Sequence, residues 1–342
     1  MIYIFDIIKL IMSFFVAATH LNPLESISPF ANFYLVNCIW RIAVPIFFSI
    51  AGYLLYRKLI KDKENYNQIV LKYLKKIFIV YLIWSIIYYI PYSGGIISTR
   101  KIIKFIMNFF IKGVYSQLWY LQSLIIGVIL STFLSKKIGI RKTLLISFLL
   151  YTIGLATVPY FPILNKFFHF PTFIVKIINI AGYKVGRNGI FFGMFFITLG
   201  GYIEKYFKKS STIKSIICLI ISILLLIAET TLIRFCKGSY YGLQLSLVPV
   251  TFFSMNLMLN YNTFIQKQTD TNNIRKLSFL IYLIHEWISY VYTYFQNSIT
   301  TNTIFQNSLI KYIIILLITI FLAEIIIYMS ENKKFKFLKK VY

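Results

Sequence analysis

The first apolar block of the chain carries three ionisable side chains, Asp6, Lys9 and His20, within FDIIKLIMSFFVAATH. On an α-helix, eleven residues turn the chain ~20° past three full circles and raise it by ~16 Å, so Lys9 and His20 share one face. Asp6, three residues before Lys9, is close enough to pair with it. Ionisable groups in apolar spans are functional candidates because burying them is costly. The alternative is that Asp6 and Lys9 neutralise each other and His20 lies at a membrane interface.

Polar and aromatic residues at the ends or middle of later apolar blocks form a second set of candidates for binding a substrate. Each also has a simpler explanation, such as an arginine reaching for the membrane surface or an aromatic residue at the lipid–water interface. A cavity shared by these residues and His20 is the interpretation that explains them together. The set is Arg41, Trp119, Tyr120, Arg187, Asn188, Glu229 and His285.

Three lysines, Lys72, Lys75 and Lys76, lie at the start of the third apolar block. A cluster of ammonium groups at the edge of a membrane suits a polyanionic ligand from the cytoplasm. It suits the headgroup of an inner-leaflet lipid equally well.

The composition predicts that helices of a membrane protein position these residues. Hydrophobic residues make up 58% of the 342 residues and charged residues only 13%, whereas soluble domains average about 45–50% and about 25%. The net charge of +26 lies in short segments between the apolar blocks, which is a pattern of membrane topology and excludes nucleic acid as a partner. The three cysteines lack the spacing of metal ligands, and we expect no metal cofactor.

We predict an all-α membrane protein with about ten transmembrane helices, because each span needs roughly 20 mostly apolar residues. The segments between them are too short for a second core, so we expect one domain over residues 1–330 and a basic tail over residues 331–342. The predicted spans lie near residues 3–20, 34–56, 75–91, 117–134, 143–158, 188–204, 213–232, 243–260, 277–296 and 308–329.

Lysines and arginines occur in alternate connecting segments, which assigns these segments and both termini to the cytoplasm. The segments at 21–33 and 297–307 lack both residue types, as expected on the outer side. His20 then lies toward the outside and Lys72 toward the inside. Two other outer segments, 92–116 and 159–187, each carry four basic residues and fit this alternation less well. Both are long enough to hold interfacial or re-entrant pieces.

Five segments in order resemble the integral-membrane acyltransferase family 3, and within it the membrane domain of the serine racemases of vancomycin resistance. They are FDIIKLIMSFFVAATH, RIAVPIFFSIAGY, QLWYL, GRNGIFFGMFFITLGG and LSFLIYLIH. The resemblance covers essentially the whole chain. The racemase domain has no counterpart in this sequence.

The resemblance implies the transfer of an acyl group, often acetyl, from cytoplasmic acyl-CoA to a hydroxyl of an extracytoplasmic glycan or lipid-linked sugar. His20 matches the catalytic histidine of the family, Asp6 its acidic residue, and Lys9 stands where an arginine is expected. Lys72, Lys75 and Lys76 take the place of the paired arginines linked to coenzyme A. Each lysine keeps the charge of an arginine but loses its bidentate contacts.

The residue types suit this chemistry, since a thioester is already activated. An imidazole that is neutral near pH 7 can accept the proton of a hydroxyl, and Arg41 or Arg187 can stabilise the oxyanion. Transient acylation of His20 remains open. We therefore expect a cell-membrane acyltransferase that uses acyl-CoA, with acetyl-CoA as the expected donor, and contacts membrane lipids, a hydroxyl acceptor and a second copy of itself. The alternative is a transporter for a small molecule such as L-serine.

Overall fold

The computed structural model describes residues 3–94, 98–181, 186–207, 211–236, 238, 240–262, 271–299 and 307–342. Within these ranges the regular structure is helical throughout, as the all-α prediction requires. The α-helices are, in chain order, α1 (Tyr3–Leu21), α2 (Pro29–Tyr34), α3 (Ala43–Lys61), α4 (Tyr66–Ile87), α5 (Tyr89–Ser93), α6 (Thr99–Ile111), α7 (Trp119–Ile138), α8 (Ile140–Thr157), α9 (Phe161–Phe168), α10 (Thr172–Ala181), α11 (Met194–Tyr206), α12 (Thr212–Phe235), α13 (Leu247–Asn262), α14 (Asn272–Ile299) and α15 (Ser308–Glu331).

Six helical stretches in the described part of the chain are long and apolar enough to cross a membrane. The chain is thus a multi-pass membrane protein, which confirms the predicted class. The other four predicted spans also coincide with helices, α4, α11, α13 and α14, but the count of ten and the cytoplasmic position of the termini stay predictions. The six stretches are Tyr3–Leu21, Pro29–Lys61, Trp119–Ile138, Ile140–Thr157, Thr212–Phe235 and Ser308–Glu331.

The described chain divides into two compact units. Unit 1 comprises Met1–Ala43, Lys76–Trp119 and Phe264–Tyr342, and unit 2 comprises Val44–Lys75 and Tyr120–Thr263. The prediction of a single domain over residues 1–330 with a separate tail stays a prediction.

In unit 1, α1 packs against α14 and α15. Small residues make the close approach of these helices feasible: Ser13 and Ala17 of α1 and Ala323 of α15 are fully buried. Such residues allow helix backbones to come close together where lipid removes the usual hydrophobic driving force. This packing fixes the position of the C-terminal end of α1 against the middle of α14.

In unit 2, α3 and α11 pack with backbone contact. A Cβ atom added to Gly52 would lie 2.0 Å from the carbonyl oxygen of Ile197, and one added to Gly200 would lie 2.0 Å from that of Ser49. Only glycine fits at these two positions. The hydroxyl of Ser49 donates to the carbonyl of Phe196 across the same contact at 3.1 Å, which satisfies its hydrogen bond inside the bundle.

The long segments predicted to hold interfacial pieces contain short helices. α6 follows Ser98, whose hydroxyl accepts from the backbone N–H of Lys101 at its first turn. Apolar side chains of this helix, including Ile103, Met107 and Phe110, are exposed beside Arg100 and Lys101. That pattern is typical of a helix lying at a membrane surface.

The basic tail folds back on unit 1. The indole N–H of Trp84 donates to the carbonyl of Val341 at 2.8 Å, and the hydroxyl oxygens of Ser330 and Tyr342 lie 2.6 Å apart. Of the basic residues used to predict topology, Lys208, Lys209 and Lys267 lie outside the described residues.

Candidate active site

His20 and Glu286 meet inside unit 1. His20 lies in the last turn of α1 and Glu286 lies near the middle of α14, with 2.7 Å between the imidazole Nδ1 and the carboxylate Oε1. Because a carboxylate only accepts hydrogen bonds, Nδ1 carries the proton, and in a neutral imidazole Nε2 then has the free lone pair. A carboxylate that fixes a histidine in this way leaves the opposite nitrogen aligned to act as a base.

Ser116 holds the same carboxylate from a second direction. Its hydroxyl lies 2.8 Å from Oε1 of Glu286 and 3.3 Å from Oε1 of Gln117. A hydroxyl donates one hydrogen, and the shorter distance assigns that hydrogen to Glu286. The Glu286 carboxylate is therefore fixed by two partners, one of which is His20.

The turn that carries Ser116 is itself attached to α14. The Tyr282 hydroxyl donates to the carbonyl of Gln117 at 2.6 Å. The turn starts at Gly113, which has a φ of +83° and whose added Cβ would lie 2.6 Å from the amide nitrogen of Trp119. A side chain at Gly113 is therefore excluded both by conformation and by space.

His285 lies next to His20. It is fully buried, and the centroids of the two imidazole rings are 5.5 Å apart. Its Nδ1 lies 2.9 Å from the carbonyl oxygen of Ile281, one turn earlier in α14. That carbonyl can only accept, so Nδ1 is protonated and Nε2 is the acceptor, and Nε2 has no hydrogen-bond partner in the described residues.

Two stacked tyrosines belong to the same unit as His20 and Glu286. Tyr88, between α4 and α5, donates to the carbonyl of Leu283 at 2.7 Å, and the ring of Tyr115 stacks on Tyr88 at 4.7 Å. Burial, together with the negative charge of Glu286, raises the pKa of Tyr115 to about 12. Its phenol therefore stays protonated at neutral pH and remains a hydrogen-bond donor.

Asp6 and Lys9 lie at the other end of α1. The Lys9 ammonium is 4.0 Å from Oδ1 of Asp6, and the hydroxyl of Thr271, just before α14, donates to Oδ2 at 2.6 Å. Asp6 is buried. The positive charge of Arg275, in the first turn of α14, repels that of Lys9. These contacts hold the N-terminal ends of α1 and α14 together. By aligning α1 with α14, they help to bring His20 and Glu286 to the same height, although they do not contact either residue.

Arg41 and Trp119 belong to unit 1 as well. Arg41 lies in the 3₁₀ turn Trp40–Ile42, which packs against α1. Its Nε is buried. Trp119 is buried at the start of α7. Tyr120, the next residue, belongs to unit 2, where its ring lies 4.5 Å from that of Phe48.

The other predicted residues of unit 2 have contacts that stabilise local structure. The Arg187 guanidinium lies 3.4 Å from the Tyr240 hydroxyl, and Asn188 accepts from the backbone N–H groups of residues 190 and 191 at the start of a π-helical turn. Glu229 accepts from the hydroxyl of Tyr160. It also accepts from the backbone N–H groups of residues 245 and 246, just before α13, at 2.7 and 2.8 Å. A substrate-binding role for these residues stays a prediction.

Lys72, Lys75 and Lys76 are exposed and lie within α4, which begins before the predicted span. Their contact with coenzyme A stays a prediction. Sequence reasoning did not select Glu286 or Ser116. An acidic residue next to His285 in an apolar span was a signal for Glu286, whereas Ser116 had none.

Comparison with known proteins bears on what this site does. The profile of an acyltransferase domain family matches residues 2–328. An amino-acid racemase of Enterococcus faecalis is 30% identical over 339 residues, which cover 96% of this chain and 46% of the relative. A serine/alanine racemase of Enterococcus gallinarum is 28% identical over 320 residues, covering 92% of this chain and 44% of the relative. The chain thus spans less than half the length of these relatives. No solved structure gives a significant match.

Proposed function

The chain belongs to the acyltransferase family whose profile covers residues 2–328, and on that premise we propose that it moves an acyl group from cytoplasmic acyl-CoA to an extracytoplasmic hydroxyl. Family membership makes it an acyltransferase other than an aminoacyltransferase. The proposal adds the donor, with acetyl-CoA as the expected one, and the acceptor, a glycan, lipid-linked sugar or small molecule of the cell envelope. The cell membrane is the proposed location.

The hydrogen bond between His20 and Glu286 is the observation that carries the proposal. The free Nε2 of His20 takes the proton of the acceptor hydroxyl as the oxygen attacks the thioester carbonyl. The carbon–sulfur bond then breaks, and the thiolate of coenzyme A takes the proton back from His20. The products are the ester and free coenzyme A. Glu286 stabilises the imidazolium that exists between these two proton transfers.

The tetrahedral intermediate carries an oxyanion that needs a donor. Two donors belong to unit 1 with His20, namely Arg41, in the turn against α1, and Gln117, next to Ser116. The amide nitrogen of Gln117 is buried and has no hydrogen-bond partner in the described ranges. A donor already desolvated in the free protein stabilises developing charge without reorganisation.

Electrostatic attraction indicates where the acyl donor, acyl-CoA, binds. Coenzyme A is a polyanion with a long, thin pantetheine arm, and the exposed cluster Lys72, Lys75 and Lys76 suits its phosphates. We propose that the headgroup of coenzyme A binds at these lysines on the cytoplasmic side. Acylation of His20 before transfer is the alternative course of the same reaction.

The proposal is tested by mass spectrometry of envelope glycans and lipid-linked sugars. Membranes that contain the wild-type protein should gain an ester-linked acyl group that is absent without the protein and with His20→Ala. If no envelope component gains an acyl group and the protein instead takes up labelled serine without releasing coenzyme A, the proposed reaction is wrong and the chain is a carrier.

A further inference from the structure

The three groups at the centre of the candidate site also form a set of metal ligands. His20, His285 and Glu286 each offer one ligand atom, and these atoms all lie within 4.8 Å of one another. Two imidazoles and one carboxylate are the ligands that Zn²⁺ takes in many three-residue sites, with a fourth position left open. We infer that His20, His285 and Glu286 bind a divalent transition-metal ion, with Zn²⁺ as the best match.

His285 gives this inference a second, independent support. Its Nδ1–H is committed to the carbonyl of Ile281, which leaves the lone pair of Nε2 available. A histidine that ligates a metal commonly donates its other ring N–H to a backbone carbonyl in this way, which fixes the tautomer and the ring orientation. Nε2 is fully buried and has no partner in the described residues, so a bound ion would satisfy an acceptor that is otherwise unpaired.

The three ligand atoms can reach bonding distance of one ion through side-chain movement alone. Zinc–ligand bonds of about 2.0–2.2 Å in a tetrahedral site put ligand atoms about 3.4 Å apart. The ligand atoms here lie within 4.8 Å of one another, so no pair has to approach by more than roughly 1.4 Å. The side chains of His20 and Glu286 are 22% and 14% exposed, whereas His285 is fully buried, and an ion would replace the hydrogen bond between His20 and Glu286 with bonds to the metal. The partial exposure also gives an ion a route into the site.

Metal binding has a consequence that rests on the proposed acyl transfer. Coordination uses the His20 and Glu286 groups that would otherwise move and stabilise the proton. The ion therefore acts as a reversible inhibitor and not as a cofactor of the reaction. Binding itself does not depend on the acyl transfer being correct.

The chain has three histidines, so the test has a natural control. The purified full-length protein, freed of metal, is titrated with Zn²⁺ against a fluorescent chelator and with Co²⁺ by visible absorption. We expect one ion per chain, and His285→Ala should weaken binding at least about tenfold, because even an outer-shell partner of a ligand contributes 10–100-fold. His169→Ala, at the end of α9 in unit 2, should bind like the wild type. Glu286→Gln provides a second ligand variant if His285→Ala fails to fold, as judged by circular dichroism.

Two results would overturn the inference: no stoichiometric binding to the wild type, or equal affinity of the His285→Ala and His169→Ala variants. If the metal-free protein transfers acyl groups, is not inhibited by Zn²⁺ and does not bind Zn²⁺, the metal site is rejected and the proposed function is kept. Stoichiometric binding that is lost in His285→Ala, in a protein without acyl transfer, would support the site and reject the function.

Discussion

Nδ1 of His20 lies 2.7 Å from Oε1 of Glu286, although the two residues belong to helices at opposite ends of the sequence. Helices α1 and α14 bring them together, and Ser116 from the turn before α7 donates to the same carboxylate. An oriented histidine with a free Nε2 is the feature that makes acyl transfer at this point of unit 1 chemically reasonable.

His20 should be indispensable for acyl transfer. His20→Ala removes the base, so we expect the rate to fall at least ~10²-fold with the amount of protein in the membrane unchanged. His169→Ala is the matched control and should keep wild-type activity. Activity of the His20→Ala variant above about a tenth of the wild-type value would remove His20 from the role of general base.

Glu286 should act through His20 as a positioning residue. Glu286→Gln keeps the shape of the side chain but loses the charge that stabilises the imidazolium, so we expect kcat to fall roughly 10²-fold or more with little change in the KM for acyl-CoA. Glu286→Asp should restore part of kcat. Glu331→Gln, at an exposed glutamate of α15, is the control. An unchanged kcat in Glu286→Gln, or an equal loss in the control, would contradict the assignment.

Lys72, Lys75 and Lys76 should determine the affinity for acyl-CoA. Hydrogen bonds to charged groups contribute about 1.5–3 kcal/mol each, so replacing Lys72, Lys75 and Lys76 together by glutamine should raise the KM for acyl-CoA at least about tenfold. The KM for the acceptor should change little. The same triple replacement at Lys333, Lys334 and Lys336 in the tail controls for net charge. Equal increases in both KM values would indicate lipid anchoring or misfolding.

The contact between α3 and α11 should tolerate no side chain at Gly52. Gly52→Ala would place a methyl group against the carbonyl of Ile197, and such overpacking costs about 1–3 kcal/mol. We therefore expect a lower melting temperature of the protein in detergent. Ala51→Ser adds one atom at the neighbouring, less buried position and should melt like the wild type. Equal melting of both variants would show that the helices separate easily here.

The helical class and the grouping of Asp6, Lys9 and His20 on α1 were predictable, because apolar blocks and the helical repeat are local properties of the sequence. The partner of His20 was not. Hydropathy does not determine which helices are neighbours or their relative height, and the contact with Glu286 depends on both. The partners of Glu229 were not predictable for the same reason, since the backbone N–H groups of residues 245 and 246 that donate to it lie at the start of another helix.

The central claim is that acyl transfer crosses the membrane, from a cytoplasmic donor to an outer acceptor at His20. Sealed vesicles of known orientation test it most directly, with acyl-CoA or a membrane-impermeant hydroxyl acceptor supplied to one face at a time and ester formation measured. We predict product only when acyl-CoA is on the cytoplasmic face and the acceptor on the outer face, and none with His20→Ala. Product formed with both substrates on the same face would contradict the account, even if the protein proved to be an acyltransferase.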